Sequence, residues 1–313
     1  MSLPLIIDTD PGVDDAAALL VALHSPEVRL QAITATYGNV CVEQAAGNAR
    51  RVRALAGPPE VPVAAGADRP LVHPAPDRPP HVHGIDGLGG RAAEFPDPGA
   101  PDAGTGSALE LAAAVLEAAD APLTIACIGP LTSTALLLAT RPELASRIGR
   151  IVVSGGTLGG GTASAASEFN LRADPEAAHR VLAQAGIPIT LVPLDLTMRC
   201  LADGAWLAAL DASGPRCALL GRVIAAYRRS FRLRYGIDGV ALHDAVAVLE
   251  AVRPGTLATT PMAAQVACDQ GPARGMLVLD RNPGRDAATI DVAQDADPSR
   301  VLAEILARLR RLG

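Results

Sequence analysis

The stretch Leu5-Ile6-Ile7-Asp8-Thr9-Asp10-Pro11-Gly12-Val13-Asp14-Asp15-Ala16 decides the fold. An apolar run of strand length ends in a turn with four carboxylates, and a helical pattern from Ala16 to Leu23 follows at once. This predicts a strand, a loop and a helix start, with the acids at the seam. Asp10 before Pro11 predicts an N-cap with proline at the first helical position. Asp14 and Asp15 then fall in the first turn, where the helix dipole favours anions.

Capping needs one or two of these acids, so the surplus requires another reason. Unit charges about 5 Å apart repel by roughly 3 kcal/mol at an effective dielectric of about 20. Either some of the acids are protonated, or a cation sits among them. Carboxylate oxygens with no nearby Cys or His suit a hard ion such as Ca²⁺ or Mg²⁺ rather than zinc. The plainer alternative is a solvated, over-capped helix start.

Working outward, Leu30 to Thr36 predicts a second strand that ends in Tyr37-Gly38-Asn39, and a helix is expected over Glu43 to Leu55. The βαβα alternation predicts one α/β domain over 1–313, with a mostly parallel, Rossmann-like central sheet flanked by helices. Ligands in such sheets collect at the carboxyl ends of the strands. Further strands are expected at Leu123–Ile128, Ile151–Ser154 and Ile187–Leu194, with helices at Ser107–Ala119, Leu131–Ala139, Glu176–Gln184, Ala245–Val252 and Pro298–Leu312. Two helical segments are expected over 203–235, and antiparallel strands over Pro261 to Asp291.

Residues 58 to 104 show little periodicity, and a connection this long is usually functional or mobile. Within it, His81-Val82-His83-Gly84 reads as a loop that closes over substrate rather than as a metal pair. Gly155 to Gly161 lacks phosphate-cradle spacing and reads as a flexible site wall leading to Glu168-Phe169-Asn170. Asp195 reads as structural, and the basic segment Arg222 to Arg234 as a solvated face.

Composition narrows the function. The net charge of −6 leaves no basic footprint for nucleic acid. Five scattered cysteines, Cys41, Cys127, Cys200, Cys217 and Cys268, fit a reduced compartment, and the cytoplasm is expected. No export signal or membrane span is indicated. The sequence contains no lysine, which removes Schiff-base chemistry and the P-loop lysine.

Four polar sites recur at carboxyl ends: Asp10 to Asp15, Asn39, Glu168 with Asn170, and His243-Asp244. A hard cation held by carboxylates, ringed by amides and acids, suits a polyol, and a nearby histidine can protonate a leaving group. Hydrolysis of a sugar derivative follows. The motifs Asp8-Thr9-Asp10-Pro11-Gly12-Val13-Asp14-Asp15-Ala16, Gly38-Asn39, Ile128-Gly129-Pro130-Leu131-Thr132, Glu168-Phe169-Asn170 and Leu242-His243-Asp244 occur in that order. Together they resemble the inosine-uridine preferring nucleoside hydrolases.

That resemblance implies a Ca²⁺ enzyme that cleaves the N-glycosidic bond of ribonucleosides to ribose and free base, acting as a homodimer or homotetramer. It implies Asp10, Asp15, Asp244 and the Ile128 carbonyl as calcium ligands, with Asp10 also taking the proton of the attacking water. Asp14, Asn39 and Asn170 would hold the ribose 2′- and 3′-hydroxyls, and Glu168 the 5′ end. His243 would act near the leaving base, and His83 would line the base pocket. Tyr235, Phe231 and Tyr227 are the candidate aromatic contacts.

Two positions depart from the family pattern. Thr162 stands where asparagine is usual and Ser154 where methionine is common, both at the 5′ end of the ribose, so a modified sugar remains open. Two other classes are weighed. Asp8-x-Asp10 after an apolar strand fits a haloacid-dehalogenase-like phosphatase, although that chemistry normally uses a lysine. A non-catalytic, calcium-dependent sugar-binding protein would also keep Asp10 and Asp15.

Overall fold

The computed structural model describes residues 2–57, 61–74, 78, 80–183, 186–284 and 287–313. Strands β1 Leu3–Thr9, β2 Val28–Ala35, β3 Val63–Ala65, β4 Leu123–Cys127, β5 Ile148–Ser154 and β6 Ile189–Val192 pair in parallel. After β7 Leu201–Ala202 and β8 Val240–Ala241, which form their own antiparallel pair, come β9 Ala258–Val266, β10 Leu277–Asp280 and β11 Ile290–Asp295. The large sheet runs β10-β9-β11-β6-β5-β4-β1-β2-β3. β9 pairs antiparallel with both β10 and β11, and β11 returns parallel to β6. The expected single α/β domain with a mostly parallel sheet is what the chain forms.

The helices are α1 Val13–Leu23, α2 Val42–Ala56, α3 Pro80–His83, α4 Ala108–Ala118, α5 Thr132–Thr140, α6 Phe169–Ala173, α7 Pro175–Leu182, α8 Leu194–Thr197, α9 Gly204–Asp211, α10 Pro215–Tyr235, α11 His243–Val252 and α12 Pro298–Leu309. They cover the sheet on both faces, because strands buried on both sides must find apolar cover on both. One core layer packs α1, α2, α9, α10, α11 and α12 onto the sheet, and the other packs α4, α5 and α7. α1 and α11 are buried almost all round and pack on each other, which their many alanines allow. Their N-termini carry Asp14-Asp15 and His243-Asp244, so this packing brings the acids of two distant segments together.

The order β3-β2-β1-β4-β5-β6 reverses between β1 and β4, and in such sheets the crevice outside that point receives ligands. Asp10 follows β1, Asn39 follows β2, Ile128 follows β4, and Ser154 closes β5.

Three expectations need correction. Asp10 does not cap α1: the helix begins at Val13 behind Gly12, Pro11 lies outside it, and Asp10 Oδ2 instead accepts the Asn39 backbone N–H at 2.7 Å. The sixth strand stops at Val192 because Pro193 has no N–H to donate, and Leu194–Thr197 forms a single helical turn. The long connection at 58–104 holds a strand of the sheet, β3, and the short α3. Gln184, the expected end of the seventh helix, lies outside the described residues.

Candidate active site

Asp10, Asp14, Asp15 and Asp244 are all buried at the switch point. Carboxylate oxygens of Asp14, Asp15 and Asp244 lie within 4.8 Å of one another. Asp15 is held from both sides, accepting Thr9 Oγ1 at 2.6 Å and the Gly12 N–H at 2.9 Å. Ser154 Oγ donates to Asp244 Oδ1 at 2.9 Å. Burial first, then mutual repulsion, raises Asp10 and Asp244 well above the usual carboxylate range and Asp14 to about 8. Asp15 is also raised by burial, although its donors oppose the shift.

Asp10 Oδ1 is buried without a hydrogen-bond partner among the described residues. A buried, unpartnered carboxylate oxygen is costly unless a cation or donor meets it. Glycines keep the space around Asp10 open: a Cβ at Gly129 would lie 2.7 Å from Oδ1, and one at Gly38, whose φ is +157°, would lie 1.9 Å from Oδ2. An all-oxygen donor set with an orphaned buried carboxylate oxygen fits a hard divalent ion.

Two asparagines are wired alike. Asn39 Nδ2 donates to Asp10 O and Asp15 Oδ2, both at 3.3 Å, and Asn170 Nδ2 donates to Ile128 O and Ser154 O, both at 3.1 Å. Their amide N–H groups are spent on the protein, which leaves each Oδ1 to accept from a ligand. Glu168 accepts the backbone N–H groups of Gly156, Asn170 and Leu171 and so caps α6. Burial nevertheless raises its pKa.

These groups line a cavity of about 550 Å³, a size that suits a small ligand. Its other end is aromatic. The chain has only seven aromatic residues, and Phe169, Tyr227, Phe231 and Tyr235 line this cavity. Along α10, Tyr227 meets Phe231 edge-on at 5.1 Å, and Phe231 meets Tyr235 at 5.1 Å and His243 at 6.0 Å. His83 lies against Tyr227 at 4.9 Å and accepts the Val13 N–H on Nδ1 at 3.2 Å. Desolvation lowers His83 to about 3 and His243 to about 4, so the 3.8 Å approach of His83 to Asp14 is no ion pair at neutral pH.

The cavity therefore gathers Asp10, Asp14, Asn39, His83, Ile128, Ser154, Thr162, Glu168, Asn170, Tyr235, His243 and Asp244, with Asp15 directly behind Asn39. Ser154 spends its hydroxyl on Asp244. Thr162 offers its carbonyl to Arg234 Nη2 at 2.5 Å. Sequence reasoning missed Arg172, Thr197, Ser230 and Arg234. Arg234 is exposed, as a solvated face requires, and its guanidinium also lies 5.3 Å from the Tyr235 ring at the cavity wall. His81, read with the loop, also lines the cavity, and its carbonyl accepts Ser230 Oγ at 2.9 Å. Asp195 is structural as read, clasping Leu158 N–H and Thr157 Oγ1.

A doubly wound sheet with an acid-lined, aromatic-walled cavity at its switch point defines an α/β protein built around a small-molecule site. Residues 5–303 match the family profile described as inosine-uridine preferring nucleoside hydrolase, and the chain belongs to that family. It is a nucleoside hydrolase. It is 38% identical over 283 residues to a pyrimidine-specific ribonucleoside hydrolase, RihA, of Salmonella agona (strain SL483), covering 90% of this chain and 89% of that one. Among solved structures, a plant nucleoside hydrolase superposes with TM-score 0.91 at 30% identity over 99% of both chains. A purine-preferring ribonucleoside hydrolase from Gardnerella vaginalis gives TM-score 0.91 at 32% identity, covering 99% of this chain and 98% of that one. Among the described residues, no helix is long and apolar enough to cross a membrane.

Proposed function

We propose that the protein hydrolyses the N-glycosidic bond of ribonucleosides to ribose and free base in a Ca²⁺-dependent reaction. The observation that carries this reading is the buried Asp10 oxygen without a partner, set among three further buried acids. Asp10, Asp15, Asp244 and the Ile128 carbonyl would hold the ion. When bound, the ion supplies neutralisation of the crowded charge and polarisation of its oxygen ligands.

The chain's own groups do the rest. Asp14 and the Oδ1 atoms of Asn39 and Asn170 accept from the ribose 2′- and 3′-hydroxyls. Glu168, with Thr162 and Ser154 nearby, borders the 5′ end. Asp10 takes the proton of the attacking water, and the buried carboxylates favour the positive charge that develops on the ribose ring as the bond breaks. His83 and the aromatic wall, Tyr235 included, enclose the base, and His243 faces it as it leaves.

The phosphatase alternative loses its nucleophile. Asp8 is not in the cavity wall; its carboxyl accepts Thr34 Oγ1 at 2.7 Å and Thr134 Oγ1 at 3.2 Å, and burial raises it to about 7. It ties β1 to β2 and α5. A binding protein without turnover is separated by assay: inosine and uridine are expected to be cleaved, with activity lost to a chelator and restored by calcium. A protein that binds them in calcium but never releases base would overturn the reading. Five free cysteines fit a cytoplasmic setting, and a homodimer or homotetramer is proposed on the family resemblance alone.

A further inference from the structure

Thr197 closes α8 and is buried. Its Oγ1 lies 2.6 Å from His243 Nδ1 and 3.0 Å from the Leu194 carbonyl oxygen. A hydroxyl has a single proton to give. If that proton points at Leu194 O, Oγ1 accepts from Nδ1–H, and both contacts are hydrogen bonds. If it points at Nδ1, two oxygens face each other at 3.0 Å with no proton between them, and one bond is lost. The first arrangement makes two bonds where the second makes one, and buried polar groups favour the fuller set.

We propose that Thr197 is a positioning residue that keeps the ring proton of neutral His243 on Nδ1 and leaves Nε2 as the atom that exchanges protons with the cavity. The proposal rests on the reading of His243 as the group facing the leaving base. Among the described residues no protein group bonds Nε2, whereas the opposite face of the ring is fixed by Thr197 and packs near Phe231. Thr197 is itself held: Leu194 N–H donates to Gly156 O at 2.9 Å, and Asp195 in the same turn clasps Leu158 and Thr157.

The arrangement has a chemical consequence. Oγ1 stays an acceptor whether the imidazole is neutral or cationic, so the ring needs no flip as a proton passes through Nε2. In the balanced step, Nε2 first takes a proton from solvent and the ring becomes a cation; the electrons of the glycosidic bond then go to the base nitrogen, which receives that Nε2 proton. C1′ gains the oxygen of the attacking water, and Asp10 gains that water's proton. His243 is then neutral again, with its proton on Nδ1 and Nε2 bare.

The test compares Thr197→Val and Thr197→Ser on two kinds of substrate in the presence of calcium. Inosine and uridine need a proton on the departing base; 4-nitrophenyl riboside releases a stable phenolate and needs none. Thr197→Val is expected to lower kcat for the nucleosides by about tenfold to a hundredfold with little change in KM, and to affect the nitrophenyl substrate by a far smaller factor. Thr197→Ser should keep both activities. Nitrogen-15 NMR of histidine-labelled protein, with His243 assigned through His243→Asn, should show Nδ1 protonated and Nε2 bare in the wild type and the Ser variant, but not in the Val variant. A wild-type ring protonated on Nε2 alone would overturn the proposal, as would equal losses on both substrates or no loss at all. Wild-type protein that cleaves no nucleoside would instead sink the underlying reading, while the NMR result still decides what Thr197 does.

Discussion

Removing Asp10 removes both the unpartnered oxygen and the proton acceptor proposed for water. Asp10→Ala is therefore expected to lose calcium binding and nucleoside hydrolysis together, measured by calorimetry and by base release. His243→Ala should separate the two, keeping the ion while lowering kcat by about 10²–10⁴, most on purine nucleosides. An Asp10 variant with full activity, or a His243 variant without calcium, would contradict the assignments. The acid motif made this end of the site legible, because four carboxylates in one short turn demand an explanation from charge alone. Thr197 gave no such signal. One threonine after Leu194-Asp195-Leu196 is indistinguishable from any other until the fold sets it 2.6 Å from a histidine 46 residues away.

At the scale of elements, α10 supplies the aromatic wall, and two of its residues make opposite predictions. Phe231 is buried between Tyr227 and His243, so Phe231→Ala should destabilise the protein by roughly 3–5 kcal/mol, read from denaturant unfolding. Tyr235 is 37% exposed at the mouth, so Tyr235→Ala should leave stability within about 0.5 kcal/mol and raise KM instead. A Tyr235 variant with unchanged KM would remove it from the base contacts. The basic face of this helix is solvated as read, with Arg222, Arg229, Arg232 and Arg234 exposed, but period and charge do not reveal that its last arginine borders the cavity. Arg234 meets Thr162 only because the loop after Gly161 folds back toward α10. The strand and helix order, by contrast, was legible in the parallel part apart from β3, since apolar runs alternating with helical patterns admit few topologies. Boundaries failed where backbone chemistry intervened, at Pro193 and at Gly12.

At the scale of the molecule, the ion-free protein carries a built-in repulsion. Asp14 titrates at about 8 in the fold against 3.8 ordinarily, so between those pH values the unfolded chain ionises a group that the fold keeps protonated. The contribution of this group to the stability of the ion-free protein should thus be fully present below about pH 4 and be lost as pH rises toward 8. Calcium at about a hundred times its Kd should return about 2.7 kcal/mol, a Tm gain of several degrees, and most of the pH slope should vanish. The central claim is that the buried acids hold a divalent ion, and isothermal titration of calcium into metal-free protein at pH 7 tests it most directly when repeated in buffers of different ionisation enthalpy. The account predicts saturable binding with net release of protons, abolished in Asp10→Ala; binding without proton release, or heat equal in the variant, would contradict it.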